Sequence, residues 1–263
     1  MARSARKKLA LALAFVFVFV LALAAAILGC FRAPIPMTSV PHDQAPSGTA
    51  RCLVVLLPGV FDDADDFRKQ GFITTLRASG LSVDIVATNA TLGYYLKGKM
   101  PEQLFADVVR PAQGEQRYEQ TWLIGLSMGG MGTLLGAQHH APELAGIVAL
   151  APYLGNDKTL AAIKAAGGLD AWTPPPEEPI TSDNYDAQLW RWLKAATSGQ
   201  VPAPEIYVGW GTGDKFAAPD AMLAAKLPKD HVFTAEGAHD WPTWNRLLAQ
   251  ILREGSIART CSR

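Results

Sequence analysis

The sequence lacks a net charge: 24 basic and 24 acidic residues cancel over 263 positions. A nucleic-acid-binding surface needs a basic excess, so that class of partner is excluded. Cysteine is scarce, with three in all, and the five histidines are scattered. No Cys/His spacing of a zinc site occurs, and no glycine loop of the Walker or dinucleotide type. No cofactor or metal is therefore implied by any motif. Internal repeats are also missing. What the chain has in quantity is apolar residues, 49% of the total. That is enough for a sizeable core, and the length suits one α/β domain.

The apolar residues are unevenly placed. Arg3, Arg6, Lys7 and Lys8 precede an uncharged run from Leu9 to Gly29. Residues 1–29 read as a secretory signal or a membrane anchor, since about 20 apolar residues can span a bilayer. Ile27-Leu28-Gly29-Cys30 resembles the lipobox of bacterial lipoproteins, although Leu28 is bulkier than usual there. The resemblance implies cleavage before Cys30 and a lipid on its sulfur. Either reading makes the membrane a partner and puts the rest of the chain in the cell envelope, facing the periplasm or exterior. Arg32 is not an aspartate, which by the same resemblance leans toward the outer membrane. Cys52 and Cys261 then remain, and an oxidising compartment permits a bridge between them. Their separation in space is not readable from sequence.

Residues 30–50 hold Pro34, Pro36, Pro41 and Pro46 among Ser, Thr and Gly. They read as a polar linker between membrane and domain. From 51 to 263 the pattern is that of one folded domain. CLVVLL (52–57) is a continuous apolar run, as expected of a strand buried on both faces. Further strands are expected over 82–88, 121–126, 145–150, 205–210 and 231–235. Helical periods lie between them, over roughly 64–79, 101–112, 128–140, 217–226 and 242–254. Such alternation predicts a mostly parallel sheet of about six or more strands with helices on both faces. Residues 153–203 interrupt the rhythm with Pro174-Pro175-Pro176, Pro179 and three tryptophans. They are expected to form a cap insertion over the carboxyl ends of the strands, where open α/β sheets bind ligands.

The chemistry centres on WLIGLSMGGMG (122–132). Gly125-Leu126-Ser127-Met128-Gly129 is a G-x-S-x-G pentapeptide between an expected strand and an expected helix. In that setting the serine sits on a strained turn with its hydroxyl exposed, and the flanking glycines supply the room. The segment 51–255 resembles the α/β-hydrolase superfamily, in which GLSMGG is a frequent esterase and lipase sequence. The resemblance implies a nucleophile, an acid and a histidine, in that order along the chain. His239, in EGAHDW after the last strand, matches the family's histidine. Asp214, at the end of EIYVGWGTGD, matches its acid. His42 precedes the domain, His139 and His140 close the helix after Ser127, and His231 opens a strand. Asp157, Asp183, Asp186, Asp220 and Asp240 are weaker candidates for the acid. An oxyanion needs two N–H donors. Met128 is one, and matching of LLPGVFDD points to Val60 for the other, with Phe61 as runner-up. Asp62 to Asp66 (DDADD) could be taken for calcium ligands, but the spacing fits no known loop. They read as a helix start.

The expected activity is that of a serine hydrolase cleaving small-molecule or lipid carboxylic esters through an acyl-enzyme. An acyltransferase or thioesterase would use the same residues. A tethered binding protein of this fold, without catalysis, is the non-enzymatic alternative.

Overall fold

The computed structural model describes residues 32–43, 45, 50–114 and 118–262. The apolar run and Cys30 lie outside the described residues. Among the described residues, no helix is long and apolar enough to cross a membrane.

Seven strands form one sheet: β1 (Ser39–Asp43), β2 (Cys52–Leu57), β3 (Val83–Thr88), β4 (Gln120–Leu126), β5 (Gly146–Leu150), β6 (Glu205–Gly211) and β7 (Val232–Ala235). The order across the sheet is β1-β3-β2-β4-β5-β6-β7. All neighbours are parallel except β1, which pairs antiparallel with β3. Every residue of β2 and of β5 is buried. This is why both read as unbroken apolar runs: helices cover both faces and leave no solvent side to mark. Each buried aliphatic chain contributes on the order of 1.5–3 kcal/mol.

Eleven α-helices are seen among the described residues. They are α1 (Asp66–Lys69), α2 (Phe72–Ala78), α3 (Leu92–Leu96), α4 (Met100–Leu104), α5 (Arg110–Gly114), α6 (Met128–His140), α7 (Asp157–Ala165), α8 (Tyr185–Thr197), α9 (Ala217–Ala224), α10 (Trp241–Glu254) and α11 (Ser256–Thr260). A π-turn over Phe105–Val109 joins α4 to α5. The helix expected over 64–79 is two, because Gly71 stands between them at φ 80. A left-handed residue cannot continue a right-handed helix.

The proline-rich segment before the domain is more than a linker. Ser39 and Val40 pair with Thr88 and Ala87, so five of its residues form the edge strand. The edge tolerates Pro41, which has no N–H to give an inner ladder. At the other terminus, Cys52 and Cys261 are joined by a disulfide with Cα atoms 5.6 Å apart. The Ser82 N–H donates to the Cys261 carbonyl at 2.8 Å, tying the tail to the amino ends of β2 and β3.

The 153–203 insertion is packed. Trp190 is fully buried and donates its indole N–H to the Leu154 carbonyl at 2.8 Å. Trp172 is buried too. The insertion contributes α7 and α8, and α8 lies against α6.

Candidate active site

Ser127 lies between β4 and α6 at φ 54, ψ −113, a region that residues with a Cβ rarely adopt. Holding it there costs about 1–3 kcal/mol, supplied by the packing around it. That packing is backbone against backbone. A Cβ on Gly125 would stand 2.1 Å from the Gly129 carbonyl oxygen, and one on Gly129 would stand 2.1 Å from the Leu57 carbonyl oxygen. Only glycine at both positions lets α6 begin so close to β2. The Ser127 N–H donates to the Leu150 carbonyl at 2.9 Å, and its carbonyl accepts from Tyr153 N–H at 3.0 Å. Its hydroxyl makes no hydrogen bond among the described residues, while Met128 opens α6, where the first N–H groups have no intrahelical partner.

Asp214 and His239 meet two and three strands away. His239 Nδ1 lies 2.8 Å from Asp214 Oδ2 and 3.0 Å from Oδ1. The Asp214 side chain is wholly buried and His239 is 17% exposed. Asp214 Oδ1 also accepts from the Phe216 N–H at 2.8 Å. The carboxylate is thus fixed, and with Asp214 accepting at Nδ1 the ring carries its proton there and leaves Nε2 as a base. The imidazole is held edge-on between Phe216 and Trp244, each 5.0 Å away between centroids. Phe216 in turn touches Tyr153, whose N–H is bonded to Ser127. Ser127 and His239 are therefore bound to one chain of contacts along the carboxyl edge of the sheet.

The loop after β2 closes the site on the other side. The Val60 and Phe61 N–H groups find no acceptor among the described residues. Phe61 is 86% exposed. A Cβ on Gly59 would stand 3.8 Å from Ser127 Cβ and 2.5 Å from Asp62 Oδ2.

The other candidate residues are placed elsewhere. Asp240 caps α10, accepting from Thr243 N–H at 2.9 Å, and that bond holds its carboxyl below the usual range. His231 stacks on Tyr207, and His140 stacks on Phe105 and lies 2.9 Å from Glu143. Asp63 and Asp66 accept the N–H groups at the start of α1, as expected of a helix start. Asp62 does not follow them. Its Oδ1 accepts from Trp241 Nε1 at 3.3 Å, and it faces the site. Asp220 is also unlike its neighbours: it is fully buried, neither oxygen has a hydrogen-bond partner among the described residues, and burial pushes its carboxyl well above the usual range, with the Asp214 charge adding.

An apolar cavity of about 150 Å³ adjoins the turn. Met128, Met131 and Leu135 line it from one face of α6, with Tyr95, Met100 and Tyr185 opposite. Met128 is thus both the residue after Ser127 and a wall of the cavity.

Sequence comparison matches residues 95–254 to the Esterase family model, described as "Putative esterase". No curated protein matches the chain. Solved structures match at low identity and show the fold alone. FphF of Staphylococcus aureus, a fluorophosphonate-binding serine hydrolase with substrate bound, aligns at TM-score 0.58 and 18% identity over 86% of this chain and 92% of that chain. S-formylglutathione hydrolase FrmB of the same organism aligns at 0.56 and 14%, over 84% and 98%. Est1E from Butyrivibrio proteoclasticus aligns at 0.58 and 14%, over 85% and 98%. The architecture is that of the α/β-hydrolase fold, and the family model spans more than half of the sequence, so this chain belongs to the esterase family and is an esterase-type hydrolase.

Proposed function

We propose that the protein cleaves carboxylic esters as a serine hydrolase, with Ser127, His239 and Asp214 as its triad. The observation that carries this is the pairing of His239 with a wholly buried Asp214 on the sheet edge that also bears a strained Ser127. His239 Nε2 takes the Ser127 hydroxyl proton as Oγ attacks the ester carbonyl. The tetrahedral oxyanion accepts hydrogen bonds from the Met128 and Val60 N–H groups. Collapse expels the alcohol, which receives the proton from His239, and leaves an acyl-enzyme. Water attacks that ester with His239 again as base, releasing the carboxylic acid. Asp214 keeps the Nδ1 proton in place and stabilises the imidazolium. The apolar cavity beside Met128 receives the acyl chain.

The tether is part of the proposal and rests on sequence alone: a lipid on Cys30 or an anchor over residues 9–29. The Cys52–Cys261 disulfide suits the oxidising compartment such a tether implies.

The test is hydrolysis of p-nitrophenyl esters from acetate to palmitate by the full chain in detergent, beside Ser127→Ala. Turnover is expected to fall by about 10⁴-fold or more in the variant. Full activity in Ser127→Ala would overturn the mechanism. An acyltransferase or thioesterase would use the same residues, and comparing water, alcohol and thioester partners in this assay separates them.

A further inference from the structure

The esterase reading gives no role to Asp62, which lies near Ser127. The turn at Gly59 folds it back toward the nucleophile, with the Asp62 N–H donating to the Gly59 carbonyl at 3.3 Å. Its Oδ2 and the Ser127 Cβ flank the same point over Gly59, at 2.5 and 3.8 Å. Trp241, two residues after His239, engages Oδ1 alone. Oδ2 accepts no hydrogen bond among the described residues, and it lies on the side of the site where Val60 is the oxyanion donor. A carboxyl oxygen with free capacity therefore lies beside the Ser127 side chain.

The electrostatics agree with this placement. Partial burial is the main influence raising the Asp62 carboxyl, with smaller contributions from Asp66 and Asp63. The Trp241 bond and the nearby His239 act the other way. Both opposing groups come from the segment that runs from the triad histidine into α10. The structure has thus brought a carboxylate to the site at a cost in solvation, although its three acidic neighbours stay on the exposed helix start.

We propose that Asp62 is a charge-selecting residue of the active site, admitting esters with a cationic or donor group near the scissile bond and turning away anionic ones. This rests on the serine hydrolase reading. It adds a preference that the triad and oxyanion donors do not set, since those act on the ester carbonyl common to all substrates.

Three acetates of similar size separate the ideas: choline acetate, its uncharged isostere 3,3-dimethylbutyl acetate, and 3-sulfopropyl acetate. Each is assayed by pH-stat with wild type, Asp62→Asn and Asp63→Asn. Asparagine keeps the size of Asp62 and an acceptor for Trp241. Wild type is expected to favour the cationic over the anionic ester by about a hundredfold in kcat/KM at low salt, and Asp62→Asn to bring the two within about threefold, as charge pairs at partly buried sites of this kind interact strongly. The preference should weaken at high ionic strength. Asp63→Asn, whose carboxylate serves α1, should keep the wild-type ratio.

An unchanged ratio in an Asp62→Asn protein that still turns over the uncharged ester would overturn the proposal and leave the hydrolase reading intact. So would equal loss of all three esters with the ratio preserved, since Asp62 would then act only in folding. Wild type inert to all three esters and unlabelled by a fluorophosphonate would overturn both, because the site would lack the nucleophile that the selection serves.

Discussion

Reducing the Cys52–Cys261 disulfide should lower the melting temperature by roughly 12 °C and leave catalysis at 25 °C unchanged. The bond closes a loop with a sequence separation of 209 residues. In the chain-entropy account, a loop of that length removes about 5 kcal/mol of freedom from the unfolded chain. Unfolding a domain of about 210 residues carries roughly 0.4 kcal/mol per degree of entropy, which converts that loss to about 12 °C. The native geometry does not depend on the bond, because the Ser82 N–H and Arg51 Nη1 already hold the Cys261 and Ser262 carbonyls, at 2.8 and 3.2 Å. The bond also lies at the amino end of the sheet, whereas Ser127, Asp214 and His239 follow the carboxyl ends of their strands. The assay is calorimetry of the wild type with and without reductant, and of Cys52→Ala/Cys261→Ala, alongside ester turnover at 25 °C. The alanine pair should melt lower still, since both cysteines are fully buried and their removal costs packing. A reduced wild type melting within about 3 °C of the oxidised form would refute the entropic argument. A loss of turnover at 25 °C in the reduced protein would refute the separation of bond and site.

Two further perturbations probe groups that support the site. Asp220 keeps its proton in the folded chain but loses it in the unfolded chain once pH exceeds the ordinary carboxylate range, so it lowers stability as pH climbs from there toward its own raised value; Asp220→Asn should therefore raise the melting temperature by about 3 °C or more at pH 7–8 and leave it unchanged near pH 4, and equal shifts at both would count against an unpaired buried acid. Gly129→Ala sets a methyl against the Leu57 and Pro58 carbonyls and should cost about 3 kcal/mol or more together with most turnover, while Gly114→Ala, whose methyl would meet nothing within 4 Å among the described residues, should be neutral or slightly stabilising in thermal melts.

The sheet was legible wherever burial on both faces left its trace. Cys52–Leu57 and Gly146–Leu150 are apolar throughout because no residue in them meets solvent. β1 carries no such trace. SVPHD has one aliphatic residue and a proline, and it is a strand only because β3 offers it an unpaired edge. That is tertiary context, which no local pattern contains. The insertion hid its helices for a different reason. Its prolines and tryptophans suggested a packed cap, but the buried side of α8 takes in Asp186 and Gln188 beside Leu189, Trp190 and Leu193, and polar residues on a buried face mask the period.

At the site, the separately recognisable pieces were those constrained by backbone. The elbow needs glycines at fixed offsets because carbonyl oxygens occupy the space a Cβ would fill, and that requirement is written into the sequence. Asp62 was not separable from Asp63, Asp65 and Asp66, because a run of like residues reads as one solvated helix start. What divides the run is the turn at Gly59, which sends one carboxylate toward Ser127 while Asp63 accepts the N–H groups of Asp65 and Asp66 and Asp66 pairs with Lys69. The signal that could have found it is the tryptophan two places after His239: an indole N–H beside a histidine loop needs an acceptor when partly buried, and the nearest carboxylate in the opposing loop supplies it. The same reasoning applies to Asp220, whose setting is fixed by what surrounds Asp214 rather than by its own helix. Both acids are displaced from their ordinary protonation behaviour by burial first, and both stand close to the Asp214–His239 pair in the folded chain. With one further carboxyl beside His239 and another beside Asp214, the field at the pair depends on which of them is ionised, and of the two only Asp62 is not fully buried.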